Sequence, residues 1–291
     1  MREDDRAASC SNGGGRLRQR RRRRRERPAR PSRQERARRD RIPEFVPLSI
    51  IDPVSGDPGI DRATLPAVDH GIGAMAAAGN YNRWLFSRAA PFLGRRVLDA
   101  GAGIGTFTTI ALAAGHAVVA VEPDPPIAAL LRERLPTVSV TEAVLEELSS
   151  ALPAEVADSA ICFNVIEHIE DDIQALTGIR HALAPGAHLA LIVPAHPALF
   201  GSIDRTDQHY RRYTRRSLSQ ALDAAGFDAV DVRYVNPVGV LGWFVAGKIL
   251  RKPQVPDGPL ALYDRLVPLF RLLDALRLPF GLSVWAVARR R

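Results

Sequence analysis

At 291 residues, 46% of them apolar, the chain is long enough for one sizeable core and has the side chains to fill it. Its formal charge of +8 comes from one end: residues 1–41 hold 17 Arg against six acidic residues, whereas residues 42–291 hold 23 basic and 26 acidic ones. The folded part is therefore slightly acidic, which removes the electrostatic argument for nucleic acid as its partner.

The two cysteines, Cys10 and Cys162, make no disulfide framework, and a reducing cytoplasm suits them. The first forty residues lack the continuous apolar run of a secretory signal. No segment reaches the roughly 18 to 20 uninterrupted apolar residues that span a bilayer; the nearest, 234–250, is broken by Asn236, Pro237 and several glycines.

Residues 1–70 read as a disordered Arg-rich tail and an irregular lead-in, with too little apolar surface to offset the entropy of ordering. The run Arg20–Arg25 suits nucleic acid or anionic lipid as well as a solvated extension. From residue 71 the pattern becomes regular. A helix is expected over 80–93, then a short apolar strand over 96–100 and a small-residue helix over 105–114. A second strand spans 116–121, a helix 125–135, a third strand 137–141 and a fourth 159–163. A helix through residue 184 leads to a fifth strand over 187–193. A helix over 214–225, a sixth strand over 229–235 and a seventh over 283–288 complete the series. Apolar strands alternating with helices indicate one α/β domain over 71–291: a doubly wound, mainly parallel, seven-stranded sheet with a helical insertion between the last two strands. The insertion, about 238–278, is apolar, and Asp264, Arg271, Asp274 and Arg277 fall on one stripe of its Leu-rich helix. It reads as a cap on the domain or as an interfacial patch for a membrane surface.

The run Val97-Leu98-Asp99-Ala100-Gly101-Ala102-Gly103-Ile104-Gly105-Thr106 joins the first strand to the first helix of the sheet. Gly101, Gly103 and Gly105 allow positive φ and let a ligand approach the backbone, while the helix that follows aims its free amides at that ligand. A dinucleotide fingerprint wants Gly or Ala where Thr106 stands. Asp99 also places a carboxylate where a pyrophosphate would be repelled but a cationic amino group attracted, or else it braces the turn. Glu122 ends the second strand, where a carboxylate can accept both hydroxyls of a ribose.

Residues 97–108 followed by Val121-Glu122-Pro123-Asp124 resemble the cofactor motifs of class I S-adenosylmethionine-dependent methyltransferases. Phe163-Asn164-Val165-Ile166-Glu167-His168-Ile169-Glu170-Asp171-Asp172 is similar to the fourth-strand motif of the branch containing ubiquinone-biosynthesis-type enzymes, and Leu183-Ala184-Pro185-Gly186 to the turn before the fifth strand. The resemblance covers about residues 78–235 and implies a Rossmann-like methyltransferase fold with S-adenosyl-L-methionine as cofactor. It places the methionine end over the glycine turn near Asn164 and Val165, and the ribose on Glu122. Where the family often supplies an acid to the adenine, Thr141-Glu142-Ala143-Val144 departs from the pattern, leaving Glu142 and Ala143 as the expected contacts.

Methyl transfer from a sulfonium asks the protein to align donor and acceptor, exclude water and, for an oxygen acceptor, provide a base. The segment 194–213 is about three times longer than an ordinary strand-to-helix connection and carries His196, Asp204, Asp207, His209, Tyr210, Arg211, Arg212 and Tyr213. His209-Tyr210-Arg211-Arg212-Tyr213 looks like the H-x-R-R-Y element of bacterial methyltransferases often encoded beside lipid-sugar glycosyltransferases. His209 is the expected base, with His168 and Tyr213 as further catalytic candidates. Arg211 and Arg212 either clamp an anionic group on the acceptor or brace the loop against Asp204 and Asp207. Tyr81 and Trp84, on the helix before the first strand, are expected to form a lid over the cofactor, with core packing as the alternative for Trp84. No metal ligands are singled out.

The expectation is thus a methyltransferase for a small-molecule or lipid- or sugar-linked acceptor, cytoplasmic or at the inner face of the membrane. The competing expectations are a nicotinamide-dependent oxidoreductase and a non-catalytic cofactor-binding protein.

Overall fold

A computed structural model of the protein describes residues 76, 78–252, 257–274 and 276–291. The expected tail and lead-in over 1–70 lie outside the described residues. The strands are β1 (Arg96–Ala100), β2 (Ala117–Val121), β3 (Ser139–Thr141), β4 (Ala157–Phe163), β5 (Leu183–Pro194), β6 (Phe227–Val235) and β7 (Ser283–Arg290). They form one seven-stranded sheet in the order β3-β2-β1-β4-β5-β7-β6. All pairs are parallel except those of β7, which runs antiparallel to both β5 and β6.

The helices are α1 (Gly79–Ala89), α2 (Thr106–Ala113), α3 (Pro125–Arg134), α4 (Leu148–Ala151), α5 (Asp172–Ala182), α6 (Ser202–Thr206), α7 (Arg215–Ala224), α8 (Gly239–Trp243) and α9 (Asp257–Asp274). Their starts follow from local chemistry. The Asp124 carboxylate accepts from the Ile127 amide at 3.1 Å, with two prolines opening α3, and Asp171 caps α5 in the same way through Gln174 at 2.9 Å. Thr214 and Ser217 cap each other's backbone at the start of α7.

Alternate residues of each strand feed two apolar layers. Leu98, Ala100, Leu189 and Leu191 pack with α5 and α7 on one face, and Val97, Ile161, Ile192 and Trp285 with α1 on the other. Because β2 lies on one side of β1 and β4 on the other, the chain reverses direction across the sheet at β1. A crevice opens above the carboxyl ends of the strands at such a reversal, and ligands bind there in open α/β sheets.

The insertion after β6 comprises α8, a π-helical turn over Phe244–Ile249, and α9. Its amphipathy is turned the opposite way from that of an ordinary surface helix. Asp264 accepts from the Asn80 and Tyr81 amides at 3.2 and 2.9 Å, capping the start of α1. Asp274 pairs with Arg88 and accepts from the Asn236 amide at 3.0 Å. These two acids of the expected polar stripe therefore face the domain. Leu262, Leu266, Leu269, Leu272, Leu273 and Leu276 are exposed, as are Leu241, Phe244, Ile249 and Leu250 of the preceding turns. Among the described residues no helix is long and apolar enough to cross a membrane.

Candidate functional site

The glycine turn sits over the end of β2. The amides of Gly101 and Ala102 both donate to the Val121 carbonyl at 2.9 Å. Gly101, Gly103 and Gly105 take φ values of +81°, +56° and +86°, and Gly105 is the left-handed residue from which α2 starts. A Cβ on Gly101 would lie 2.5 Å from Cγ2 of Val165, so the turn and the segment after β4 meet with no room to spare.

Beneath the turn, Asp99 is 3% exposed, and its Oδ2 accepts from the Thr108 hydroxyl of α2 at 2.6 Å. Burial pushes its carboxyl up to about 6, against the Thr108 hydrogen bond and with help from the charge of Glu122. Glu122 follows β2 directly, and its two oxygens accept from the amides of Gly103 at 2.8 Å and Asp124 at 3.0 Å. Its carboxyl too is raised by burial. Asp99 and Ala120 are register partners on neighbouring strands, so the two carboxylates stand on adjacent strand ends and feel each other's charge. A pair of desolvated acids around a glycine turn suits a ligand with a cationic amino group and neutral hydroxyls, and disfavours a pyrophosphate.

The other expected cofactor contacts divide. Val165 lies against Gly101, and Asn164 before it adopts φ +54°, a left-handed conformation asparagine tolerates, with its amide bonded to the Ile192 carbonyl at 2.9 Å. Glu142 and Ala143 follow β3 beside the end of β2. The Glu142 carboxylate is exposed and pairs with Arg132 at 3.3 Å, and Ala143 is half-buried. Tyr81 is not a lid. It is buried among Trp84, Tyr263, Ser283 and Asn236, and desolvation raises its phenol to about 12. The Asp264 cap on α1 turns Tyr81 and Trp84 toward the sheet and α9.

The segment between β5 and α7 is closed at its base, where the His196 amide donates to the Tyr213 carbonyl and the Tyr213 amide to that of Pro194, at 2.9 and 2.8 Å. Within it, α6 carries the fully buried Asp204. One of its oxygens accepts from Nδ1 of His209 at 2.9 Å and Nε of Arg212 at 2.6 Å, and the other from the Gly201 amide at 2.8 Å. Burial opposes ionisation of Asp204, but the bonds from His209 and Arg212 outweigh it and hold the carboxyl below its ordinary value.

Two expectations are corrected by this network. Of its two expected roles Arg212 takes the bracing one against Asp204 and does not clamp an acceptor: it is buried, paired with Asp204, bonded to the Ala195 carbonyl at 3.0 Å and laid over the Trp243 ring at 4.5 Å. Tyr213 is not a proton carrier either. It is 2% exposed, it donates to Asp172 at 2.6 Å, and burial drives its phenol far above the ordinary range. Arg211 pairs with the same Asp172 at 3.0 Å, bracing the loop on the start of α5.

His209 stands edge-to-face on His168 with ring centroids 4.5 Å apart. Glu167, not singled out from the sequence, brings a carboxylate oxygen within 4.8 Å of a ring nitrogen of each; the signal was an acid directly after the apolar pair Val165-Ile166. Glu167 is 1% exposed, and burial raises its carboxyl to about 7 against the opposing charge of His209. The segment after β4 thus joins two subsites: Val165 touches the glycine turn, and Glu167 and His168 meet His209.

A family model for a methyltransferase domain matches residues 75–232, more than half the chain, so the protein belongs to the methyltransferase-domain family. Curated relatives include probable S-adenosylmethionine-dependent methyltransferases from Mycolicibacterium smegmatis and Mycobacterium tuberculosis. The first is 29% identical over 140 residues, 47% of this chain and 54% of that one, and the second is 31% identical over 151 residues, 51% and 54%. The chain spans about half the length of the curated relatives it matches. Among solved structures, a methyltransferase from Archaeoglobus fulgidus superimposes with a TM-score of 0.51 at 15% identity, covering 73% of this chain and 94% of its own. A cyclase gives the same TM-score at 17% identity, covering 74% and 81%. That one fold hosts both chemistries means the fold alone does not fix the reaction.

Proposed function

We propose that the protein binds S-adenosyl-L-methionine over the glycine turn and transfers its methyl group to a small-molecule or lipid- or sugar-linked acceptor seated against His209 and His168. The observation that carries the cofactor assignment is the pair of buried carboxylates, Asp99 and Glu122, on either side of the turn. When bound, the cofactor supplies an activated methyl group on a positively charged sulfur.

The residues do the rest. Asp99 meets the amino group of the methionine end, Glu122 accepts from the ribose hydroxyls, and the exposed end of β3 at Glu142 and Ala143 borders the adenine. Asn164 and Val165 line the methionine end and close the space between turn and acceptor. His209 is the group through which the acceptor's proton is lost. Because the Asp204 carboxylate can only accept, Nδ1 of His209 carries the proton of their bond, and Nε2 is left to act. A nicotinamide dinucleotide is disfavoured by Thr106 and by Asp99 beneath the turn.

The outward leucines of α9 and the apolar turns of α8 support an acceptor drawn from a membrane surface at the inner face. Trp243 of α8 covers Arg212, and the Ser202 hydroxyl of α6 donates to the Gly247 carbonyl at 3.1 Å, so the apolar arm adjoins the acceptor loop. Over 239–252 the arm carries Lys248, Arg251 and Lys252 and no acid, which fits anionic headgroups. The test is incubation of the protein with deuterated-methyl cofactor and a bacterial extract split into soluble and membrane fractions, read by mass spectrometry. A labelled product in the membrane fraction supports the reading, a product in the soluble fraction alone removes the lipid-linked acceptor, and no product in either removes methyl transfer.

A further inference from the structure

Glu167, His168 and His209 each place a ligand atom within 4.8 Å of the other two. Glu167 and His168 are neighbours in the turn after β4 and His209 comes from the loop after α6, so the meeting of that pair with His209 is a product of the fold. Neither oxygen of the buried Glu167 carboxylate meets a hydrogen-bond donor among the described residues. A carboxylate so placed is costly to keep unless a cation reaches it. His209 is oriented from behind by Asp204 at 2.9 Å, which fixes the tautomer and keeps the lone pair on Nε2. A carboxylate behind an imidazole is how metal sites orient and strengthen their histidine ligands. Arg212 beside the cluster is already paired with the same Asp204 at 2.6 Å, so Glu167 does not have that guanidinium to itself.

We propose that Glu167, His168 and His209 hold a divalent transition-metal cation. Two imidazole nitrogens and one carboxylate suit zinc, manganese or iron better than calcium or magnesium, which prefer oxygen ligands. Three protein ligands leave open positions on the metal, as catalytic sites do. With Nε2 on the cation, His209 no longer takes the acceptor's proton itself: the cation polarises an oxygen acceptor seated there, and the proton passes to solvent, in place of the direct transfer to His209. That chemical use rests on the methyltransferase reading, but the binding itself does not. Metal bonds of about 2.0 to 2.2 Å set neighbouring ligand atoms roughly 3 to 3.5 Å apart, and the three here stand within 4.8 Å of one another.

The test uses the full-length protein, stripped with a chelator and dialysed, then titrated with Zn2+ alone by calorimetry and with Co2+ alone by visible spectroscopy. One saturable site per chain is expected, with cobalt bands showing nitrogen ligation. Glu167→Gln and His168→Gln should each weaken binding by at least about tenfold, with unchanged circular dichroism. His168 is half-buried, so its variant keeps the test open if Glu167→Gln fails to fold. Absence of a saturable site in the unaltered protein, or full affinity in a folded His168→Gln, overturns the proposal. S-adenosylhomocysteine titrated into the same stripped samples reports on the cofactor separately. Metal binding without it would sink the methyltransferase reading and leave the cation site standing.

Discussion

Replacing Asp99 by Asn should make the protein more stable and a poorer cofactor binder at the same time. In the fold, burial raises the Asp99 carboxyl from 3.8 to about 6. A folded value above the unfolded one means that the native state holds a proton which the unfolded chain has already released between those limits. The stability contributed by protonated Asp99 is therefore present below about pH 4 and lost as pH rises through about 6. Roughly two pH units of separation correspond to about 3 kcal/mol. Asparagine keeps an acceptor for Thr108 but never ionises. The stability difference between Asp99→Asn and the unaltered protein should then grow by up to about 3 kcal/mol between pH 4 and pH 7. Urea unfolding of both proteins at several pH values measures it. In the other direction, losing a charge-assisted bond to the cofactor's amino group should weaken S-adenosylhomocysteine binding by about ten- to a hundredfold at pH 7. A stability difference that does not vary with pH, together with unchanged affinity, would refute the burial and the role assigned to Asp99.

Gly101→Ala should be strongly destabilising, since φ +81° strains any Cβ and Val165 stands 2.5 Å from where it would go. Thermal melting should show a loss of about 2–4 kcal/mol, from backbone strain and overpacking together. Tyr213→Phe removes the donor to buried Asp172 and should cost about 1–3 kcal/mol, yet leave turnover per folded molecule unchanged; a collapse of turnover with stability intact would restore Tyr213 as a catalytic group. Leu269→Asp with Leu272→Asp should abolish flotation on anionic vesicles without lowering the melting temperature, since both side chains are exposed; flotation that persists would remove α9 as the contact.

The parts of the site written in local chemistry were readable without a structure. Asp99, the three glycines and Glu122 lie within 24 residues, and the strand, turn and helix that carry them are each dictated by their own residue types. Strand β1 falls where its apolar run places it. The acceptor end was legible as a list of groups but not as a set of partners. Asp204 precedes Arg212 by eight residues, and nothing local says that α6 will bury the acid and bring the guanidinium and His209 to one oxygen. Tyr213 goes inside because the two ends of its loop pair with each other, a contact between distant residues. The orientation of α9 was hidden for a similar reason. A polar stripe on a helix ordinarily marks the solvent side, but here Asp264 and Asp274 satisfy amides and Arg88 of the domain and the leucines face out. Glu167 was invisible as a site residue because His209, 42 residues further along the chain, reaches it and His168 only in the folded chain.

The central claim is most directly tested by calorimetric titration of S-adenosylhomocysteine and, separately, of NAD into the unaltered protein and into Asp99→Asn and Glu122→Gln. One-to-one binding of the first ligand, weakened about tenfold or more in each variant, with no binding of the second, is the predicted result. Binding of NAD alone, or affinity for S-adenosylhomocysteine untouched by removing either carboxylate, would contradict it.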